Sequence, residues 1–267
     1  MGATANDVIE KPTLLREDRD GISTLILNRP QQYNPLSSEM LTALQQALDD
    51  IAGDDDIRVI IIGAQGRAFC AGHDLKQMRS SEDRAFHQAL FEQCSRMMLT
   101  INQISKPVIA RVNGIATAAG CQLVAACDLA VVSEESQFAV SGINVGLFCS
   151  TPAVPLSRNL SRKRAMQMLL TGDFIDAQTA LDYGLVNQVV AHDELEQATR
   201  AVAQKIVAKS PLSISLGKQM FYRQLDMELA EAYEFAGERM TCNMDSEDAR
   251  EGIDAFIDKR KARWSGK

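Results

Sequence analysis

Val112-Asn113-Gly114-Ile115-Ala116-Thr117-Ala118-Ala119-Gly120-Cys121-Gln122-Leu123 is the stretch that decides the fold. It completes the run Val108-Ile109-Ala110-Arg111-Val112, which reads as a strand ended by Asn113-Gly114. The small residues that follow open a helix. A chain that passes from a strand through a glycine turn into a helix leaves backbone N–H groups free at the helix start. There the helix dipole favours negative charge.

A second stretch repeats the arrangement upstream. Val59-Ile60-Ile61-Ile62 is a β-branched run ended by Gly63, suited to a buried strand. It leads into Gly66-Arg67-Ala68-Phe69-Cys70-Ala71-Gly72-His73-Asp74-Leu75-Lys76 and then a short helix. Small-residue turns between strand and helix usually serve packing, and one alone carries little. Two at matching places in successive α/β units are more pointed, because two N–H donors aimed at one oxygen form an oxyanion hole.

Outward from these stretches, Thr13–Arg16 and Gly21–Asn28 read as a β-hairpin around Asp18-Arg19-Asp20-Gly21. Ser37 or Ser38 can cap a helix whose apolar face is Met40, Leu41, Leu44, Leu48 and Ile51. Residues 82–104 read as a long amphipathic helix, and Leu129–Val132 as a fourth strand. Strand and helix in alternation imply parallel pairing and an α/β class. After about residue 150 strand signals nearly vanish, and helices are expected over 162–170, 176–182, 193–209, 211–224, 227–241 and 246–257.

The composition is that of a globular protein: 267 residues, 46% hydrophobic and 24% charged, with a formal net charge of −7. The basic residues are scattered, so no nucleic-acid footprint is visible, and no apolar run reaches the length of a membrane span. Residues 1–6 lack the apolar core of a secretory signal. The cysteines at 70, 94, 121, 127, 149 and 242 form no Cys-x-x-Cys pair and are expected to be buried and reduced, in a cytoplasmic location. His73, His87 and His192 have no metal-ligand spacing, and no metal is expected.

The two glycine-rich stretches resemble the signatures of the crotonase (enoyl-CoA hydratase/isomerase) superfamily. Ala68–Leu75 resembles A-F-x-A-G-x-D-L. Val112, Gly114, Ala116, Gly120, Leu123, Cys127 and Asp128 match the second pattern. Leu27-Asn28-Arg29-Pro30 with Asn34-Pro35-Leu36, and Glu251–Arg260, resemble two further motifs. The details look most like the enoyl-CoA hydratase domain-containing branch.

The resemblance implies a crotonase-like ββα spiral core over 13–192, a C-terminal helical trimerisation subdomain over 193–267, and a flexible terminus over 1–12. It implies a trimer or a dimer of trimers. It also implies a coenzyme A thioester as substrate or ligand, with no permanently bound cofactor. The backbone N–H groups of His73 and Ala119 would form the oxyanion hole. Ala71, His73, Asp74, Leu75 and Lys76 would line pantetheine and thioester, although Asp74 also suits a plain helix cap. Arg29, with Phe256 and Lys259 of a neighbouring subunit, would border the nucleotide. Ala118 and Ala119 stand where glycines are common, and both are expected near helical angles, since an alanine is poorly tolerated at positive φ.

Family hydratases use two glutamates, and here those positions are Gln122 and Gly142. An amide cannot exchange a proton at neutral pH as a carboxylate can. Losing one general acid or base costs about 10²–10⁴ in rate. Ser150 stands where some isomerases carry an aspartate, but an unassisted hydroxyl is too weak a base. His73 remains the best candidate base, and Cys121 suits packing better than nucleophilic attack. Two readings stay open. One is a hydratase/isomerase-like enzyme of fatty acyl-CoA metabolism, or a base-free decarboxylase or thioesterase. The other is a non-catalytic acyl-CoA binder or regulatory protein.

Overall fold

The computed structural model describes residues 11–267; most of the expected flexible terminus, residues 1–10, lies outside them. The chain opens with the hairpin β1 (Leu14–Arg19) and β2 (Ile22–Leu27). Asp20 and Gly21 join them with φ of 55° and 75°. Two positive-φ residues make the tight turn that Asp-Gly favours. Helix α1 (Ser38–Ala52) starts at Ser37, whose hydroxyl accepts from the Met40 N–H.

The middle of the chain then repeats one unit. β3 (Val59–Ala64) and β4 (Ala68–Cys70) are followed by α2 (Leu75–Arg79) and α3 (Arg84–Gln103). β5 (Val108–Val112) and β6 (Ile115–Thr117) are followed by α4 (Ala119–Ala126). β7 (Leu129–Ser133) and β8 (Gln137–Ala139) are followed by α5 (Ser150–Asn159) and α6 (Arg162–Thr171). The first strand of each unit joins one sheet and the second joins another. With β9 (Ile175–Asp176), α7 (Ala177–Tyr183) and β10 (Gln188–Val190), the strand orders are β1-β2-β3-β5-β7-β10 and β4-β6-β8-β9. The large sheet is parallel except for the β1–β2 hairpin. This is the α/β spiral the sequence implies.

The strands of the second sheet run to three residues at most, too short to show a period of two. β9 in this sheet and β10 at the edge of the large one are as short, which is why strand signals fade after residue 150 while both still form. Helix α5 escapes the sequence pattern for a different reason. It carries Pro152 and Pro155, residues that ordinarily argue against a helix interior.

The main core fills the space between the large sheet, α1, α3 and α4, with Leu25, Leu44, Ile60, Phe69, Met97 and Phe138 fully buried. α8 (Leu195–Val207) covers the other sheet face, with Leu195 and Ala203 packed on Ile22, Val59, Ile61, Ile109 and Val131. So the segment expected as a helical subdomain begins with a helix that belongs to the sheet's packing. α9 (Pro211–Gln224), α10 (Leu229–Met244) and α11 (Glu247–Ile257) follow. α9 is fixed to the core by Lys218. Its ammonium reaches Asp128 Oδ2 at 2.6 Å and the carbonyls of Ile101 and Lys106 at 2.8 and 3.0 Å. Cys70, Cys94, Cys121, Cys127 and Cys149 are buried free thiols; Cys242, on α10, is exposed, contrary to expectation.

Candidate active site

The two glycine-rich turns meet at the N-terminus of α4. Gly120 packs directly on β4: a Cβ there would lie 2.1 Å from the Cys70 carbonyl oxygen. Gly72 has φ +94°, and a Cβ on it would lie 2.9 Å from Ala118 Cβ and 3.3 Å from the Ala119 nitrogen. Only glycine permits both the backbone angle and these approaches. The loop before α1 holds the arrangement from the far side. Leu36 donates its N–H to the Gly72 carbonyl at 2.8 Å, and Ala71 donates to Tyr33 at 3.0 Å. Asn34, fully buried at φ 52°, donates to the carbonyls of Gln65 and Ala68, both at 2.9 Å, and accepts from the Arg29 N–H at 2.8 Å. The sequence motif contains Asn34, but nothing in it signals this clamp.

Ala118 is the N-cap residue of α4, and Gln122 donates the first helical hydrogen bond to its carbonyl at 3.0 Å. Alanine has no side-chain oxygen, so the N–H groups of Ala119, Gly120 and Cys121 have no cap. Among the described residues neither the His73 nor the Ala119 N–H donates to the chain. All eight residues of α4 are buried. An uncapped helix start in the interior is a site for an anion or a polarised oxygen. Ala119 is helical as expected, but Ala118 is not. Its φ of 50° and ψ of −119° lie in a region normally left to glycine.

The side chains are arranged differently from the sequence reading. His73 Nδ1 lies 3.1 Å from the Leu36 carbonyl oxygen. A carbonyl can only accept, so the proton is on Nδ1 and Nε2 is the free base. Nε2 is hidden from solvent and has no partner among the described residues, and the ring packs edge-on against Phe91 at 5.5 Å. Burial lowers the imidazole pKa below its usual value, so the ring is neutral at pH 7. The base nitrogen of His73 is therefore out of reach of a substrate in this conformation, which removes the geometric support for His73 as a replacement base.

Asp74 caps α2, accepting from the N–H groups of Lys76 and Gln77 at 2.9 and 3.2 Å, while Leu75 and Lys76 are exposed. Arg29 spends its guanidinium on Glu39 at 3.1 Å and on the Lys11 carbonyl at 2.8 Å. Beside it Lys11, Pro12, Asn28, Pro30, Gln65 and Gly66 line an open cleft of about 560 Å³. Phe256 is 85% exposed and so has no core role in the single chain. Lys259, at φ 55°, ends its helix.

Gln122 lies one turn into α4, 3% exposed, with its side-chain oxygen buried and unpartnered among the described residues. Thr117 Oγ1 and Ser141 Oγ meet at 2.8 Å. Gly142, expected to stand in a glutamate's place, has no room for a side chain. Its N–H donates to Cys149 Sγ at 3.3 Å, and a Cβ there would lie 2.6 Å from the Leu147 carbonyl oxygen and 2.7 Å from that sulfur. The turn at 142–149 has closed over the space a side chain would need. Ser150 heads α5, exposed, with its hydroxyl 3.4 Å from the Phe148 carbonyl. The Cys121 thiol is pushed up to about 12 by burial and is no nucleophile at neutral pH.

Residues 17–267 match the family described as enoyl-CoA hydratase/isomerase. The chain belongs to that family. A crystal structure of enoyl-CoA hydratase from Mycobacterium smegmatis is 52% identical, with a TM-score of 0.93 over 95% of this chain and 99% of that one. The human enoyl-CoA hydratase domain-containing protein 3 is 46% identical, with a TM-score of 0.92 over 94% and 100%. The mitochondrial enoyl-CoA hydratase domain-containing protein 3 of Rattus norvegicus is 47% identical over 247 residues, covering 92% of this chain and 82% of the relative. The mitochondrial placement in the names of such relatives overturns the expected cytoplasmic location.

Proposed function

We propose that the protein binds an acyl-CoA thioester and polarises its carbonyl with the N–H groups of His73 and Ala119. One observation carries the reading. The uncapped start of α4 abuts the Gly72–His73 turn so closely that only glycine fits between them. Two fixed donors lower the energy of an enolate or a tetrahedral oxyanion without any reorganisation. The acyl-CoA would run from this point past Ala71, Leu75 and Lys76 to the cleft beside Arg29 and Pro30. No permanently bound cofactor is needed for this chemistry.

The acid/base half of the site is weak. Gln122 holds no exchangeable carboxyl proton, Gly142 has no side chain, and His73 Nε2 is shut away. Hydration at a rate far below that of a two-glutamate enzyme follows, each missing group costing about 10²–10⁴. Reactions that form an enolate without a base, decarboxylation above all, keep the benefit of the hole, and so does simple retention of an acyl-CoA. The apolar residues exposed on α9 to α11, including Phe221, Leu229, Tyr233, Met240 and Phe256, support assembly into a trimer or a dimer of trimers. Light scattering should give a trimer or hexamer mass rather than a monomer.

The deciding experiment compares butyryl-CoA with its thioether analogue, which lacks the carbonyl oxygen. Calorimetry should show the thioester binding at least about tenfold more tightly, the worth of one or two hydrogen bonds between neutral groups. Equal affinities would remove the oxyanion hole from this reading.

A further inference from the structure

A cleft at the root of α9 holds two cations against an apolar wall. We propose that it is a second ligand site, for a short-chain carboxylate with an apolar tail. It lies at the opposite end of the large sheet from the candidate active site. The glycine-rich turns of that site come after β3 and β5, whereas the cleft residues Asp55, Ile57, Arg58, Ser105 and Lys106 come just before those strands. β3 alone, with six residues, spans about 20 Å. The inference therefore does not rest on the thioester reading.

One wall is cationic. Arg58 and Lys106 are half-buried, and among the described residues neither is in an ion pair. Arg58 Nη2 donates to the Lys209 carbonyl, and Lys106 Nζ to the carbonyls of Ile51 and Asp54. A guanidinium carries five N–H groups, so most of this one is open to a ligand. Burial pulls the pKa of both side chains below the usual value, as for cations held partly out of water. The nearby carboxylates offset this only in part. Asp248 is engaged by Ser210, Ser265 and Gly266, Asp54 by the Asp56 N–H and Arg16, and Asp55 is exposed.

The other wall is apolar, formed by Ile57, Ile206, Leu212 and Ile214 around a space of about 230 Å³. At about 30 Å³ for each water-sized group, it holds about seven or eight heavy atoms, the size of hexanoate. An inorganic anion would meet the cations and leave the apolar wall wet. A neutral alcohol would cover that wall and leave the cations unpaired. A carboxylate fits the planar fork of Arg58 with two parallel hydrogen bonds, and its alkyl tail fits the isoleucines and Leu212.

The test is ligand-observed NMR titration of the full-length protein with hexanoate, acetate, 1-hexanol and inorganic phosphate. Hexanoate should bind at least about tenfold more tightly than acetate, since each buried methylene contributes about fourfold. It should exceed 1-hexanol by a similar factor, the worth of hydrogen bonds to a charged group. Arg58→Gln should weaken hexanoate binding at least about fivefold. Ser215→Glu, which sets a carboxylate on the cleft wall and keeps both cations, should do the same with the circular dichroism spectrum unchanged. No measurable hexanoate binding overturns the inference, as does phosphate binding as tightly as hexanoate. So does either variant, folded, binding hexanoate like the wild type. Displacement of hexanoate by excess butyryl-CoA would put the acid in the acyl site instead and equally overturn it.

Discussion

Ala118→Gly should raise the stability of this protein, the opposite of what glycine does in a helix interior. Ala118 is held at φ 50° and ψ −119°, the second position of a type II′ turn, where a Cβ is crowded by its own backbone. Strain of this kind costs about 1–3 kcal/mol. Against its relief stand two losses. Glycine gives the unfolded chain extra freedom, worth about 0.4–1 kcal/mol. Removing one half-buried methyl forfeits at most about 0.8 kcal/mol. Glycine is also the better N-cap residue, by a few tenths to 1 kcal/mol. The balance is a gain near 1 kcal/mol, or about 2–4 °C in melting temperature for a chain of this size. Thermal unfolding followed by circular dichroism, supported by the urea midpoint, measures it. A fall of 2 °C or more, with the oligomeric state unchanged, would mean that the turn is unstrained and that the close fit of Ala118 against Gly72 is worth more than its backbone conformation costs.

Three other outcomes follow from the same structure. The His73 imidazole has its pKa lowered by burial, so the unfolded chain binds the extra proton first. Stability should be full above about pH 6.5 and decline as pH falls through the lower folded value, and His73→Asn should flatten that part of the pH–stability curve. Lys218→Met leaves Asp128 buried without its cation and should destabilise by about 3–5 kcal/mol, read as a lower denaturant midpoint. Gln122→Glu should raise crotonyl-CoA hydration by at least about tenfold, whereas adding Gly142→Glu should lower stability and cancel the gain, because its Cβ meets Leu147 O and Cys149 Sγ. A double variant that folds normally and hydrates faster still would show that the 142–149 turn yields easily.

The large sheet was legible because its strands are long enough to carry a signal. Val59–Ile62 is a β-branched run ended by glycine, Val108–Val112 a largely apolar one ended by Asn-Gly, and Asp20-Gly21 fixes the hairpin register. The small sheet was not, since β4, β6, β8 and β9 owe their existence to neighbours across the spiral rather than to local pattern. The same division runs through the site. Backbone donors could be inferred from glycine placement. The orientation of the His73 ring could not, because it depends on a carbonyl 37 positions away at Leu36 and on Phe91. Nor could the angle at Ala118, where residue type points to one conformation and the contact with Gly72 imposes another.

That division bears on how the chemistry here could change. An oxyanion hole made of main-chain N–H groups depends on the path of the backbone, which Gly72, Gly114 and Gly120 fix through contacts that no side chain could share. Side chains at 73 and 119 can therefore vary without loss of the donors, and histidine and alanine stand there. Proton transfer has no such protection, since it rests on individual carboxylates. Replacing the first by Gln122 leaves the space intact and the amide in place. At Gly142 the turn has closed onto Leu147 and Cys149, so the second position is lost as a volume as well as a charge. On the proposed reading, restoring hydratase chemistry would require rebuilding the 142–149 turn, whereas loss of the proposed acyl-CoA binding would require disturbing the glycine contacts that hold α4 against β4.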